Sequence, residues 1–219
     1  AWYGVPKIAV DSESTDEDIL NWAEGSYEYN YGADTVRIND LLDRRARHNY
    51  YRYENEVDNY SQNHYQVHLD QSFGNWSLGG VFYATLGAGY YEQFRRGDEL
   101  SNYGLSPLVL GDDTTLTTDL VRRRWLDNIL TGTSWTVSQT SGSISQVYGV
   151  SRSFYSGDHF GELIWMDFAS GAEPGDEYYR SLGEKTDMSA FGKWSGHISK
   201  IRWHAEAQMR QVLYETTGR

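Results

Sequence analysis

Cysteine is absent from the chain, so no disulfide framework, zinc–thiolate site or cysteine nucleophile can form. An oxidising compartment is permitted but not required. Positive charge is scarce: 19 lysines and arginines face 31 aspartates and glutamates, giving a net charge of −12. Nucleic-acid binding by phosphate neutralisation needs a basic surface, so the expectation is no nucleic-acid partner. Ala1 opens the sequence without an initiator Met, a basic n-region or an apolar h-region. A secreted protein freed of its signal peptide, or a piece of a longer chain, is expected to look this way.

Long greasy helical runs are missing too. Residues 71–91, QSFGNWSLGGVFYATLGAGYY, and 128–151, NILTGTSWTVSQTSGSISQVYGVS, carry no charge yet are rich in Gly, Ser and Thr. A helix needs about 20 mainly apolar residues to cross a bilayer, and each interior Gly costs it about 1 kcal/mol relative to Ala. A membrane-spanning strand needs only about 9–11 residues, so two strands and a tight turn match the length of the second stretch.

What the sequence does contain supports strands. Aromatics make up 15% of the chain, with 18 Tyr and 8 Trp, beside 22 Gly. Such rings suit β-structure and surfaces that are wet at one end and dry at the other. Period-two alternation is present: Tyr65, Val67, Leu69 and Phe73 oppose His64, Gln66, His68 and Asp70. Trp76, Leu78, Gly80, Phe82, Ala84 and Leu86 share a face, as do Ile129, Thr131, Thr133, Trp135 and Val137. In IRWHAEAQMRQVLY, Ile201, Trp203, Ala205, Ala207, Met209 and Leu213 oppose Arg202, His204, Glu206, Gln208 and Arg210. Propensity alone would make a helix of that segment; the alternation favours a strand.

The spacing predicts six strands in three hairpins: about 61–73 with 76–90, 124–139 with 143–156, and 187–198 with 200–215. Tight turns are expected at Gly74-Asn75, Ser141-Gly142 and Ser199-Lys200, and long connections at about 91–123 and 157–186. Short turns at one end and long loops at the other are the outer-membrane barrel pattern. Within residues 1–60, expected to be mainly extracellular loop, Ser14 or Thr15 can cap a short helix through Leu20 in DSESTDEDILNWAEG. Tyr27, Tyr29 and Tyr31, with Val36 and Ile38, suggest a small surface hairpin. Soluble sandwiches and lectins share such alternation, so periodicity leaves a water-soluble β-domain open.

The stretches YENEVDNYSQNHYQVHLDQSF, GYYEQFRRGDELSNYGL, TTDLVRRRWLDN and GDHFGELIWMDFASG, with AWYGVP at the start, resemble TonB-dependent outer-membrane receptors of the Bacteroides type. The resemblance covers nearly all of residues 1–219 and is densest over 48–170. It implies an all-β fold: part of an antiparallel up-and-down transmembrane barrel, which in this family has roughly 22 strands and a plugged lumen. It further implies uptake across the bacterial outer membrane of a scarce substrate such as a siderophore–iron complex, cobalamin, a glycan or a peptide. The implied partners are the lipid bilayer, the substrate, TonB acting through a plug domain, and a surface lipoprotein. Neither a plug domain nor a TonB-contacting segment lies in the sequence, and the last residue is Arg219 where complete barrels of this class end on an aromatic. Residues 187–219 match less closely. Arg152 departs from its apolar face, and is expected near the loop end of its strand, where it can reach the headgroups.

Candidate substrate contacts lie at the expected loop mouths. Arg122, Arg123 and Arg124, before Trp125, can meet an anion, though balancing nearby acids explains them as well. Tyr90, Tyr91, Phe94, Arg95 and Arg96 can stack on a sugar or chelate, or form an interfacial aromatic girdle. His159 and Trp165 complete the set. Asp158, His159 and Glu162 are too loosely spaced for a metal site and are expected to form a loop hydrogen-bond cluster. His64, His68 and His204 read as polar-face residues without ligand spacing. The Asn75-Trp76-Ser77 acceptor sits in a hairpin turn and is discounted. No nucleophile triad, phosphate-cradling loop or carboxylate pair stands out, so the expectation is neither an enzyme nor a cofactor protein. Two rivals stay open: a small self-contained outer-membrane barrel or adhesin, with two extra strands near 26–38, and a soluble carbohydrate-binding β-domain.

Overall fold

The alternating segments form strands. The computed structural model describes residues 5–25, 34–51 and 53–218. Its main sheet has six antiparallel strands: β1 (Val57–Phe73), β2 (Trp76–Glu99), β5 (Thr117–Ser141), β6 (Ile144–Met166), β7 (Glu177–Ile198) and β8 (Ile201–Gly218). They lie in the order β1-β2-β5-β6-β7-β8, so chain neighbours are sheet neighbours and β1 and β8 are open edges. A small second sheet pairs β3 (Leu108–Leu110) with β4 (Asp113–Thr115). Among the described residues three α-helices, α1 (Lys7–Val10), α2 (Asp16–Gly25) and α3 (Thr35–Arg44), and a 3-10 turn at Arg45–Arg47 precede the sheet.

Tight turns link the paired strands. Gly74 (φ 63°), Gly142 (φ 58°) and Ser199 (φ 56°) each lead a two-residue connection, because a hairpin matched to strand twist needs positive φ there. The middle turn is Gly142-Ser143, one residue later than expected, since Gly142 meets that requirement without steric cost. In the last hairpin, β7 and β8 pair from Ile198↔Ile201 to Ser181↔Gly218 without a break. Ala190 faces Met209 and Trp194 faces Ala205, while Asp187 faces Arg210 and Lys193 faces Glu206. Alternation therefore prevails over helix propensity in AEAQMRQVL.

Most strands run further than their uncharged segments suggest, because ladder hydrogen bonds continue regardless of side-chain charge. The connections shrink to 100–116 and 167–176. Residues 90–99 and 117–124, expected in or beside a long loop, belong to β2 and β5. Asp158, His159 and Glu162 lie in β6, not in a loop, and Asp158 and Glu162 are set by parity on the face opposite His159. Arg152 sits well inside β6, exposed between Val150 and Phe154, instead of near its loop end.

The expected hairpin of residues 27–38 is replaced, where described, by α3; Tyr27, Tyr29 and Tyr31 lie outside the described residues. Asp34 caps α3 by accepting the Arg37 amide at 3.1 Å, and Ile38 and Leu41, one turn apart, bury their side chains. Thr15 caps α2 as expected: its Oγ1 accepts the Asp18 amide at 3.2 Å, and Asp18 accepts the Thr15 amide at 2.8 Å. That helix continues past Leu20 to Gly25.

Two compact units emerge. The first comprises Ala1–Asn59, Tyr90–Arg124 and Gly161–Tyr178. It holds two apolar cores, one of Ala9, Ile19, Ala23, Ile38 and Leu41, the other of Tyr103, Leu120 and Leu163. The second comprises Tyr60–Gly89, Trp125–Phe160 and Tyr179–Arg219. Every residue buried in its described part is a glycine: 87, 89, 149, 157, 183 and 192. Aromatic rings cover several of them, Tyr60 over Gly87 and Phe191 over Gly149, where an added Cβ would collide. The large apolar side chains of this unit stay accessible, with Val67 60% and Met209 77% exposed.

Candidate functional site

The expected contact residues of the first unit sort onto two faces. Strand alternation puts Tyr90, Glu92 and Phe94 of β2 on one side and Tyr91, Gln93 and Arg95 on the other. In β5 it sends Arg123 one way and Arg122 and Arg124 the other. The three arginines therefore do not make one anion site.

Arg123 is already neutralised. Its Nε donates to Glu92 Oε2 at 2.7 Å and its guanidinium lies 4.3 Å from the Tyr90 ring centre. The Tyr53 hydroxyl donates to the other Glu92 oxygen at 2.6 Å, so a carboxylate only 4% exposed has both oxygens engaged. Burial, then the bond to Glu92, raises the Tyr53 hydroxyl above its ordinary value and keeps it a donor. Phe94 leans on Tyr53 with ring centres 6.2 Å apart. Balancing of nearby acids thus accounts for Arg123.

The opposite face carries a second network. Arg122 donates through Nη1 to the Tyr103 oxygen and through Nη2 to Gln93 Oε1, each at 3.1 Å. Tyr103 donates to Asp98 Oδ2 at 2.7 Å, and Arg95 reaches the same oxygen at 3.0 Å. Burial opposes ionisation of Asp98, but the bonds from Tyr103 and Arg95 outweigh it and hold the carboxyl below its ordinary value. Burial, then the bond to Asp98, pushes the Tyr103 hydroxyl up. Tyr103 also packs edge-on to Tyr178, which anchors the network to the Leu120–Leu163 core. Arg124 is exposed, 5.7 Å from the Tyr91 ring centre, and Arg96 is exposed near the end of β2. Of the expected cations, Arg122 and Arg124, beside Gln93 and Tyr91, remain the arrangement suited to a polar anionic ligand.

Two expected residues stand apart. His159 lies half-buried in β6 of the second unit. Trp165 is exposed near the end of β6 in the first unit, beside a cavity of about 100 Å³ lined also by Leu163, Met166 and Pro174. Glu92, Gln93, Asp98 and Tyr103 were missed; carrying the alternation of β2 past Tyr90 would have put Glu92 and Gln93 on their faces.

The second unit has its own ring and charge group. Trp125 and Phe160 stack at 5.7 Å with planes 7° apart. Arg180 lies 4.2 Å from the Phe160 ring centre and pairs with Asp158. That pairing is the environment of Asp158, and the described residues contain no cluster of three or more His, Asp and Glu able to hold a metal ion. On the polar face, His64 contacts Thr85 Oγ1 at 2.9 Å and His68 contacts Gln66 at 3.1 Å. No described helix is long and apolar enough to cross a membrane. No protein-family model matches the chain, and no curated protein matches it.

Proposed function

We propose that the chain is part of the transmembrane β-barrel of a TonB-dependent outer-membrane transporter, whose first unit helps bind a scarce extracellular substrate. One observation carries the membrane reading. In the second unit six strands set most of their large apolar side chains along one face, exposed or half-exposed, and none of them is buried among the described residues. Val67, Leu69, Phe82, Leu86, Val150 and Met209, on four of the strands, are all exposed. Water makes such a surface costly, at about 25 cal/mol per Å² of apolar area, whereas hydrocarbon does not. Sequential pairing, with tight turns after β1, β5 and β7 and longer connections at the other end, is the order of an up-and-down barrel.

The transport part of the reading draws on the four stretches that resemble the receptor family. The open edges β1 and β8 would continue into further barrel strands, and a plug domain elsewhere in the parent protein would contact TonB. Arg122, Arg124 and Tyr91 would contact a small-molecule or glycan substrate, and a surface lipoprotein would cover it. Arg152 is the one cation in the lipid-facing row of β6, where its long side chain would extend to the headgroups.

The test is tryptophan quenching in the 219-residue chain refolded into vesicles of acyl-brominated phosphatidylcholine. Trp135, Trp194 and Trp203 lose most of their emission if the apolar face meets lipid. A chain that folds as a soluble monomer without amphiphile, with these tryptophans unquenched, overturns the membrane reading. For transport, a plug-encoding region upstream in the parent gene is the expected finding, and its absence removes that part.

A further inference from the structure

The helical part that precedes the sheet holds an open cavity of about 560 Å³. Trp22 of α2 lines it together with Tyr50 and Tyr51, which follow α3. All three are half-buried, and Trp22 and Tyr50 rest against the core of Ile19, Ile38 and Leu41. The segment that carries the tyrosines is held firmly. Arg37 Nη2 donates to the Asn49 carbonyl at 2.9 Å and to the Tyr50 carbonyl at 3.0 Å. Asn49 Oδ1 accepts the Tyr51 amide at 3.2 Å. The aromatic walls are therefore set by the fold and need little ordering when a ligand arrives.

Ring orientation narrows what the cavity can hold. Trp22 and Tyr50 have ring centres 6.2 Å apart and planes inclined at 47°. Tyr50 and Tyr51 stand 5.8 Å apart at 70°. Coplanar rings would make a platform for the flat face of a sugar. Inclined rings make a corner, which suits a rounded group that touches several π-faces at once. A trimethylammonium group has that shape, and its charge is attracted by each ring.

Two charged side chains line the same cavity: Lys7, which begins α1, and Asp11, which follows it. Among the described residues neither joins an ion pair, and Asp11 commits one carboxylate oxygen to the Glu13 amide at 3.0 Å. Ser14 adds a hydroxyl donor. A bare cation would meet Asp11 and the rings, but also repulsion from Lys7. A ligand with an anion a few bonds from its cation turns that repulsion into attraction. A primary ammonium is disfavoured, because its N–H donors would exchange water for ring faces that accept weakly.

We infer that this cavity binds a small zwitterion joining a quaternary methylammonium to a phosphate or a carboxylate, as in phosphocholine or betaine. The methylated cation lies among Trp22, Tyr50, Tyr51 and Asp11, and the anion meets Lys7 and the Ser14 hydroxyl. The cavity lies wholly within residues 5–51, so binding there is independent of what the strands face.

The full chain is refolded in a polyoxyethylene surfactant, which carries neither sugar nor ammonium, and titrated with phosphocholine and with glycine betaine. Both should bind, with N-methyl proton resonances shifted upfield by the ring faces, and the tighter of the two identifies the anion. Choline should bind about tenfold more tightly than its neutral carbon isostere, the scale of a partly desolvated cation–π contact. Lys7→Gln should weaken phosphocholine about threefold, the scale of an exposed ion pair, and strengthen choline. Opposite signs from one substitution are not expected of a residue that merely supports the fold. Asp11→Asn should weaken both ligands, and Trp22→Leu should abolish the upfield shift. Amide protection in α2 and α3 checks that each variant keeps its core. Tyr51→Leu, outside that core, repeats the ring test where Trp22→Leu does not fold. Failure of both zwitterions to bind overturns the site, as does equal affinity for choline and its carbon isostere. So do phosphoethanolamine binding as tightly as phosphocholine, displacement of phosphocholine by a neutral disaccharide, and Lys7→Gln shifting both ligands alike. Unquenched Trp135, Trp194 and Trp203 in brominated vesicles remove the lipid-facing reading and leave this site standing.

Discussion

The two units put their apolar side chains in opposite places. In the first, Ile19 and Leu41 are fully buried between short helices, and Leu120 and Leu163 lie under Tyr103. Such side chains gain about 1.5–3 kcal/mol each by leaving water. In the second, only glycine is buried among the described residues, and most large apolar side chains line an accessible face. That unit holds its strands by ladder hydrogen bonds, by rings laid over glycines and by polar-face pairs such as Asp187 with Arg210. One chain therefore contains a part that buries its apolar side chains and a part that leaves them exposed along a sheet face.

Substitutions can break or sharpen this contrast. The largest effect is expected from Leu41→Ala in the helical core, a loss of about 2–5 kcal/mol. Hydrogen exchange should show it as faster exchange within residues 5–51 with the strands of the second unit unaffected. Val150→Lys, on the exposed row of β6, should cost about 2–4 kcal/mol in a bilayer, because a cation enters hydrocarbon. Denaturant titration in vesicles measures it; a neutral result would erase the difference between the units. Within the first unit, Glu92→Gln leaves Arg123 without its anion and should cost about 1–3 kcal/mol, less than a fully buried pair because Arg123 is partly exposed. Thermal melting reads that loss, and Arg123→Gln on top should add little, since the two share one interaction.

The smallest effect concerns acidity. Burial raises Glu56 to about 7, with Arg95 pulling weakly the other way. A carboxyl raised in the folded state binds its proton more tightly there, so its contribution is complete below about 4.5, the ordinary value, and is lost as pH rises through about 7. Protection of amides near residues 53–57 should fall between pH 5 and pH 8, and Glu56→Gln should flatten that change.

Much of the sheet was legible because a strand with one apolar side must repeat every second residue. Trp203 to Leu213 shows this at its clearest, since all of its charges fell to one side. Strand ends were harder to read: in β2, Tyr90 to Glu99 mixes rings and charges, yet the ladder continues because backbone groups pair whatever the side chains carry. The helix over Thr35–Arg44 was hidden behind a tyrosine-rich approach, although Asp34 as a cap and Ile38, Leu41 and Leu42 at helical spacing were there to be read. The arginine triplet shows the same dependence on the pleat: three neighbours in sequence alternate between faces, which gives Arg123 to Glu92, as charge balancing anticipates, and Arg122 to Tyr103. Pairings across strands, such as Phe160 with Arg180, depend on register that local sequence does not contain.

The open sides of β1 and β8 have a practical corollary. Among the described residues each is the last strand of its sheet, and an edge of that kind can add chain after chain like links in a ribbon. Refolding by simple dilution into buffer should therefore give turbidity or gel, with a threshold set by protein concentration. Supplying a short-chain surfactant from the first moment coats the oily rows before neighbours meet, and should move that threshold upward.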